Sequence, residues 1–313
     1  MNKNQIISAF FGFCVGDAVG LPVRFSKRED LKKNPVLTMR EYGEYNVPAG
    51  VWSSASSMTF CLTESLCGGY DLKDIALKFY KWAFENYWTA TGLNFDIGRT
   101  VLIALARVNE LENPTECGLS GDTNCGNNSA SRSMPLAFYL ANEKDVNKKR
   151  KIIYDVSKIT HSHTRCLIAC DYYVEFLIKL INGAKKEEAY QNVQKYIIEN
   201  YNEEYKDELQ FYKRLVFDDI SKAPEDTIKS SAYIVHTLEA SIYSFMKNDD
   251  YKSAVLYAVN LGGDTDSIAA MTGALAGLYY GVNSISDEWI EQIAQYGKIM
   301  ELLEKFSKSL NAI

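Results

Sequence analysis

Leu261-Gly262-Gly263-Asp264-Thr265-Asp266-Ser267, followed by the Ala- and Gly-dense stretch 268–280, decides how the chain is read. Two glycines mark a break in the backbone, and the polar residues after them stand where a helix begins. The small side chains that follow allow other helices to come close. The stretch therefore predicts a buried helix with two carboxylates and two hydroxyls at its mouth. Oxygen donors alone suit a hard cation such as Mg²⁺, Mn²⁺ or Ca²⁺ rather than zinc, and the free N–H groups of a helix start suit a phosphate. An Asp at this place can also be no more than a helix N-cap. Both readings stand at this point.

Outward from that segment, apolar residues recur at helical spacing. Ile75, Phe79, Trp82 and Asn86 share one face, and Trp289, Ile293, Tyr296, Met300 and Leu303 share another. Helix starts are marked by Asp71 before Leu72 and by Ser286 before Asp287 and Glu288, and a stop by Gly20 with Pro22 beyond it. Strand-like alternation is hard to find, which argues against a parallel sheet. Six prolines and no Gly/Ser-rich linker predict one compact, mainly α domain over 1–313, rather than the two domains that length alone suggests. The irregular stretches 34–57 and 112–128 both end where a helix begins, which marks them as candidate binding loops. The charge-mixed stretch 199–225 reads as a solvated connector.

Composition excludes several functions. A formal net charge of −6 argues against nucleic acid as partner. No apolar run of membrane-spanning length stands out, and residues 1–10 carry only Lys3 and no cleavage signature, so a cytoplasmic protein without a membrane partner is expected. Seven cysteines without a Cys-x-x-Cys pair fit reduced thiols, with Cys166 and Cys170 in the core. His161 and His163, two residues apart, do not share a helix face, which disfavours a histidine metal site. No Gly-x-Ser-x-Gly motif supports a serine nucleophile.

Six motifs, in order, nevertheless share a pattern: 12–22 (Gly-Phe-Cys-Val-Gly-Asp-Ala-Val-Gly-Leu-Pro), 52–59, Phe95-Asp96-Ile97-Gly98, Gly126-Asn127 with Arg132 and Pro135, Thr160-His161-Ser162-His163, and 260–267. Over about residues 5–281 the chain resembles the ADP-ribosylglycohydrolases. The resemblance implies an all-α domain whose cleft holds two Mg²⁺ or Mn²⁺ ions, which position ribose hydroxyls and a water for cleavage of ADP-ribose from a protein side chain. Asp264, Asp266 and Ser267 match the C-terminal metal ligands and Ser53 the hydroxyl ligand of the N-terminal set; Asp264 and Asp266 would serve catalysis. Arg24, Ser53, Ser54, Asp96, Gly126, Asn127, His161, Gly262 and Gly263 would line the ligand site.

The same comparison exposes losses. At 52–59 the family carries two adjacent aspartates where this chain has Ser54 and Ala55, and many members carry Glu at the place of Arg24. The Gly-Asn-Gly and Met-Arg signals are altered at Asn128 and Ser131. Fewer carboxylates and an added guanidinium predict lost or weakened metal binding, with Arg24 free to pair with Asp264 and Asp266 or with a pyrophosphate. Binding of an ADP-ribose-type ligand, alone or on a modified protein, with impaired hydrolysis is the leading expectation. An active Mg²⁺- or Mn²⁺-dependent hydrolase, including one in which Ser54 and Ala55 trap the substrate, is the second. A non-enzymatic partner-binding protein is the third.

Overall fold

Gly12, Gly16 and Gly20 lie four apart on the first helix, α1 (Lys3–Gly20), and fix the architecture. A Cβ on Gly12 would stand 2.2 Å from the Gly273 carbonyl oxygen, one on Gly16 2.1 Å from that of Ala269, and one on Gly20 2.4 Å from that of Thr265. The partner numbers fall as the α1 numbers rise, so the two helices run antiparallel with their backbones in contact. The predicted small-residue helix is real, and α1 is what approaches it. Its end at Gly20 thereby sits on the start at Thr265.

The computed structural model describes residues 2–201 and 203–311. After α1 come α2 (Ser54–Leu66), α3 (Leu72–Glu85), α4 (Arg99–Ala106), α5 (Val146–Lys158), α6 (Thr164–Ile181), α7 (Lys186–Asn200), α8 (Ile234–Lys247), α9 (Tyr251–Asn260), α10 (Thr265–Tyr280) and α11 (Tyr296–Leu310), with shorter helical turns between. Among the described residues there is no strand, only isolated bridges pairing Leu119 with His161 and Gly126 with Tyr233. The all-α expectation holds, and one hydrophobic core runs from Ile6 to Leu310. Asp71 and Ser286 stand at helix starts as read, with the Asp71 side chain accepting from the Lys73 and Asp74 amides.

Four expectations need correction. The run Lys3–Val23 is long and apolar enough, at a mean hydropathy of 1.8, to cross a membrane. It is 94% buried inside the protein, because the glycine stripe seats it against α10. The stretch 199–225, residue 202 lying outside the described ones, is not a solvated connector: Tyr201 is buried just past the end of α7, and Leu209, Tyr212, Leu215 and Ile220 are buried in short helical turns. The helix after the first long loop starts at Ser54, inside the stretch read as irregular. The face from Trp289 to Leu303 spans two helices, broken at Gln295 with φ +59°, and Tyr296 is exposed.

Candidate functional site

Four buried carboxylates meet where the end of α1, the start of α2 and the start of α10 converge: Asp17, Asp96, Asp264 and Asp266. Asp17 lies on α1 and faces the first turn of α2. It accepts from the Ser53 amide at 3.1 Å, the Ser56 amide at 3.1 Å and the Ser56 hydroxyl at 2.6 Å. Asp96, from the loop before α4, accepts from the Ser54 amide at 2.9 Å. Both carboxylates thus answer the orphan N–H groups of one helix start, where the dipole favours negative charge.

At α10 the arrangement differs. Asp264 holds the N-cap position, but its side chain makes no cap bond, so the plain N-cap reading fails. One of its oxygens accepts from Arg24 Nε at 3.0 Å, and the other from Asn127 Nδ2 at 2.6 Å. Asp266 Oδ2 lies 3.2 Å from Arg24 Nη1, within ion-pair distance but outside hydrogen-bond geometry, so neither oxygen of this buried carboxylate has a hydrogen-bond donor. Arg24 Nη1 also reaches Asp96 at 3.5 Å and donates to the Tyr45 hydroxyl at 3.2 Å. The centre of the expected cleft is therefore filled from within by Arg24, whose side chain is 14% exposed.

The backbone locks Arg24 in place. Phe25 N–H donates to the Gly263 carbonyl at 2.7 Å and Gly263 N–H returns a bond to Ser26 at 2.9 Å, clasping the segment after α1 to the segment before α10. Gly262 and Gly263 have φ of +74° and +76°, and a Cβ on Gly263 would stand 2.0 Å from the Ser230 carbonyl oxygen. Both glycines are required by this turn.

Electrostatics follow from burial. Burial raises the Asp17 pKa to about 6 despite the bonds from Ser56 and Ser53, with repulsion from Asp96 adding to it. Burial raises Asp96 as well, and raises Asp266 well above the ordinary carboxylate range against the pull of Arg24. For Arg24 burial favours the neutral form, but Asp266 and then Asp264 outweigh it and raise its pKa. Three of the four acids thus share one guanidinium.

The residues expected at the site are mostly brought together. Arg24, Asp96, Asp264, Asp266, Asn127, Ser53 and Ser54 meet at this junction. The Ser53 hydroxyl caps α2, accepting from the Ala55 amide at 3.1 Å. Ser267 is buried one residue beyond Asp266 and joins none of these contacts. Gly126 packs on His161, whose buried ring pairs through Nδ1 with the Thr160 hydroxyl at 2.7 Å. Burial and then Arg132 push the His161 pKa down to about 3, so the imidazole is neutral. Asn127 alone links this wall to the carboxylates. A cavity of about 600 Å³ opens beside the clasp, lined by Phe25, Lys27, Lys229, His236 and Gly263 among others; of the expected ligand residues it includes only Gly263.

Two site residues escaped the sequence reading. Asp17 is the lone carboxylate in an apolar 18-residue helix, a signal that was present. Tyr45 lies in an irregular loop and carried none.

The profile of the family described as ADP-ribosylglycohydrolase matches residues 2–312. The chain belongs to the ADP-ribosylglycohydrolase family. It is 30% identical over 309 residues to an ADP-ribosylarginine hydrolase of Serratia proteamaculans, covering 95% of this chain and 77% of that one. It is 27% identical over 299 residues to the ADP-ribosyl-[dinitrogen reductase] glycohydrolase of Rhodospirillum rubrum, covering 93% and 90%. A solved ADP-ribosylglycohydrolase-related protein complex superposes with a TM-score of 0.83 at 26% identity over 98% of both chains. The family is generally metal-dependent. The residues present here do not fit a two-metal ADP-ribosylglycohydrolase centre. Ser54 and Ala55 offer no carboxylate, Arg24 sits among the acids that remain, and no three His, Cys, Asp or Glu side chains among the described residues are grouped to hold a metal ion.

Proposed function

We propose that this protein binds ADP-ribose or a related nucleotide, free or attached to a protein, and that two-metal hydrolysis is lost. The family acts on ADP-ribosylated proteins or ADP-ribose substrates, which sets the ligand class. The observation that carries the reading is the contrast within one site. Asp266 retains two buried oxygens without donors, acceptors suited to ribose hydroxyls, while the adjacent aspartates of the α2 start are Ser54 and Ala55. Asn127 fixes Asp264 from the opposite wall.

Hydrolysis of the glycosidic bond needs an activated water and a stabilised transition-state charge. Asp96, beside the α2 start, has one oxygen engaged by the Ser54 amide and by Arg24 at 3.5 Å, so that oxygen is not free to activate a water. Binding without turnover follows. A net charge of −6 speaks against nucleic acid as partner, and seven free thiols suit a cytoplasmic setting.

The test is a thermal shift with ADP-ribose, with and without Mg²⁺, beside turnover assays on ADP-ribosyl-arginine and ADP-ribosyl-serine. ADP-ribose at about 100 times its dissociation constant should stabilise the protein by ~2.7 kcal/mol, with or without metal. EDTA-sensitive turnover at the level of the family's enzymes overturns the loss of hydrolysis. Absence of any shift overturns binding and favours a partner-binding protein. The lack of hydrogen-bond donors to Asp266 also favours a second reading, a single-metal hydrolase on Asp264, Asp266, Ser267 and Ser53, which requires Asp266→Ala to abolish turnover.

A further inference from the structure

We propose that Arg24 is a tethered replacement for a divalent cation: its guanidinium neutralises the Asp96, Asp264 and Asp266 carboxylates, and its removal opens a site for a small free cation. The inference rests on the reading that metal is not part of this site, and it is tested without nucleotide.

The geometry makes guanidinium and dication alternatives rather than companions. Arg24 nitrogens stand 3.0 Å from Asp264, 3.2 Å from Asp266 and 3.5 Å from Asp96. An Mg²⁺ ion sits about 2.0–2.1 Å from its ligand oxygens, so one bound to the same Asp264 and Asp266 oxygens would crowd the guanidinium and face its charge at close range. A guanidinium is planar, permanently charged and able to serve several carboxylates at once, which a hydrated ammonium does less well.

The seat of Arg24 is built from several directions. The Phe25–Gly263–Ser26 backbone clasp fixes its position along α10. The Tyr45 hydroxyl accepts from Nη1, and the Phe25 ring lies 4.8 Å from the guanidinium carbon. Phe25 itself holds φ +66° and is 58% exposed, so a strained backbone and an unburied aromatic residue stand beside the cation. A surface arginine that merely drifts over acids needs none of this.

The charge count points the same way. Asp17 and Asp96 are served by the α2 amides, and Asp264 by Asn127, but no other cation among the described residues lies within 4 Å of any of the four carboxylates. Truncating Arg24 leaves four buried acids and a void where the guanidinium was. That void is faced by the Asp96, Asp264 and Asp266 oxygens that Arg24 now contacts.

The experiment compares wild type with Arg24→Ala by thermal melting and by calorimetric titration, using Mn²⁺, Mg²⁺ and millimolar guanidinium as probes after EDTA treatment. The wild-type melting temperature is expected to ignore all three probes. Arg24→Ala should melt lower and regain stability dose-dependently with Mn²⁺ and with guanidinium. If wild type itself shows saturable Mn²⁺ binding, both this inference and the metal-free reading of the site fall. If wild type is silent and the folded variant is silent too, this inference alone falls. Should Arg24→Ala not fold, Arg24→Lys and Arg24→Met decide: the lysine variant must be the more stable, and equal or reversed stability overturns the proposal.

Discussion

Two clusters of buried carboxylates divide this molecule, and they are built on opposite principles. Away from the site, Asp171 and Glu175 lie one turn apart on α6, both fully buried. Glu175 pairs with Lys149 of α5 and, at 3.4 Å, with Lys179. Asp171 accepts from the Tyr196 hydroxyl at 3.2 Å and the Tyr201 hydroxyl at 2.7 Å, with Arg150 at 3.7 Å. Two acids there have three cations and two hydroxyl donors. The cluster at the mouth of α10 has four acids and one cation, and Asp266 has no donor. The first is a structural joint with more cations than acids, although Glu175 Oε2 and Arg150 Nε lack hydrogen-bond partners. The second carries more acids than cations, the imbalance on which the proposed ligand site rests.

Breaking the joint should produce the largest effect. Lys149→Ala strands Glu175 as a buried charge with only Lys179 beside it, and removing one partner of such a pair costs about 3–5 kcal/mol. Urea denaturation measures it, and the ADP-ribose thermal shift should be unchanged in the variant. A loss below about 1 kcal/mol, the range of exposed pairs, would erase the distinction between the two clusters.

The contrast explains what the sequence could reveal. Periodicity, Asp71, Ser286 and the small-residue stretch 268–280 announced the helices, because burial and capping are local properties of the chain. Asp264 and Asp266 were legible as a polar pair at a helix mouth, and Arg24 as a cation out of place. That Arg24 pairs with them depends on the clasp of Phe25 and Ser26 to Gly263, a contact 237 or more positions apart in the chain that no local pattern encodes. The joint on α6 was invisible for the same reason. Asp171 and Glu175 look like one polar stripe on a helix, and only the packing of α5 and α7 turns them inward. The stretch 199–225 misled through composition: its many charges point outward while Tyr212, Leu215 and Ile220 reach the core.

A pH titration separates the clusters next. Burial raises Asp171 from 3.8 to about 7, with Glu175 adding repulsion, while Tyr201, Arg150 and Tyr196 pull it back. Between those values the folded protein holds a proton that the unfolded chain has released. Stability from this group is therefore full below about pH 4 and is lost as pH rises towards 7. Asp171→Asn should flatten that fall by a few kcal/mol, at ~1.4 kcal/mol per pKa unit. The readout is the midpoint of urea unfolding from pH 4 to 8. An unchanged slope in the variant would mean Asp171 is ionised throughout.

Within the site the same kind of substitution should raise stability and lower ligand binding together. Asp266→Asn removes a charge that has no hydrogen-bond donor and faces three other acids, so it is expected to stabilise the fold by about 1–2 kcal/mol while weakening ADP-ribose binding. Gain in melting temperature with loss of the ligand shift is the pattern to look for. Destabilisation instead would show that the attraction of Arg24 outweighs the cost of burying Asp266, and would make this carboxylate structural like those on α6.

The smallest effect tests whether a hydroxyl belongs to the fold or to the ligand. Ser53 caps α2 through the Ala55 amide as Asp71 caps α3 through the Lys73 amide, and loss of either cap costs about 1 kcal/mol. Ser53→Ala and Asp71→Ala should therefore lower stability alike. Asp17 still accepts from the Ser53 amide in the first variant, so the α2 start keeps its place. ADP-ribose affinity should then be the same in both variants as in wild type, because the Ser53 oxygen is already engaged by the helix. Affinity that drops in Ser53→Ala but not in Asp71→Ala would assign the hydroxyl a second partner, since each variant loses a helix cap and only one of them borders the carboxylates.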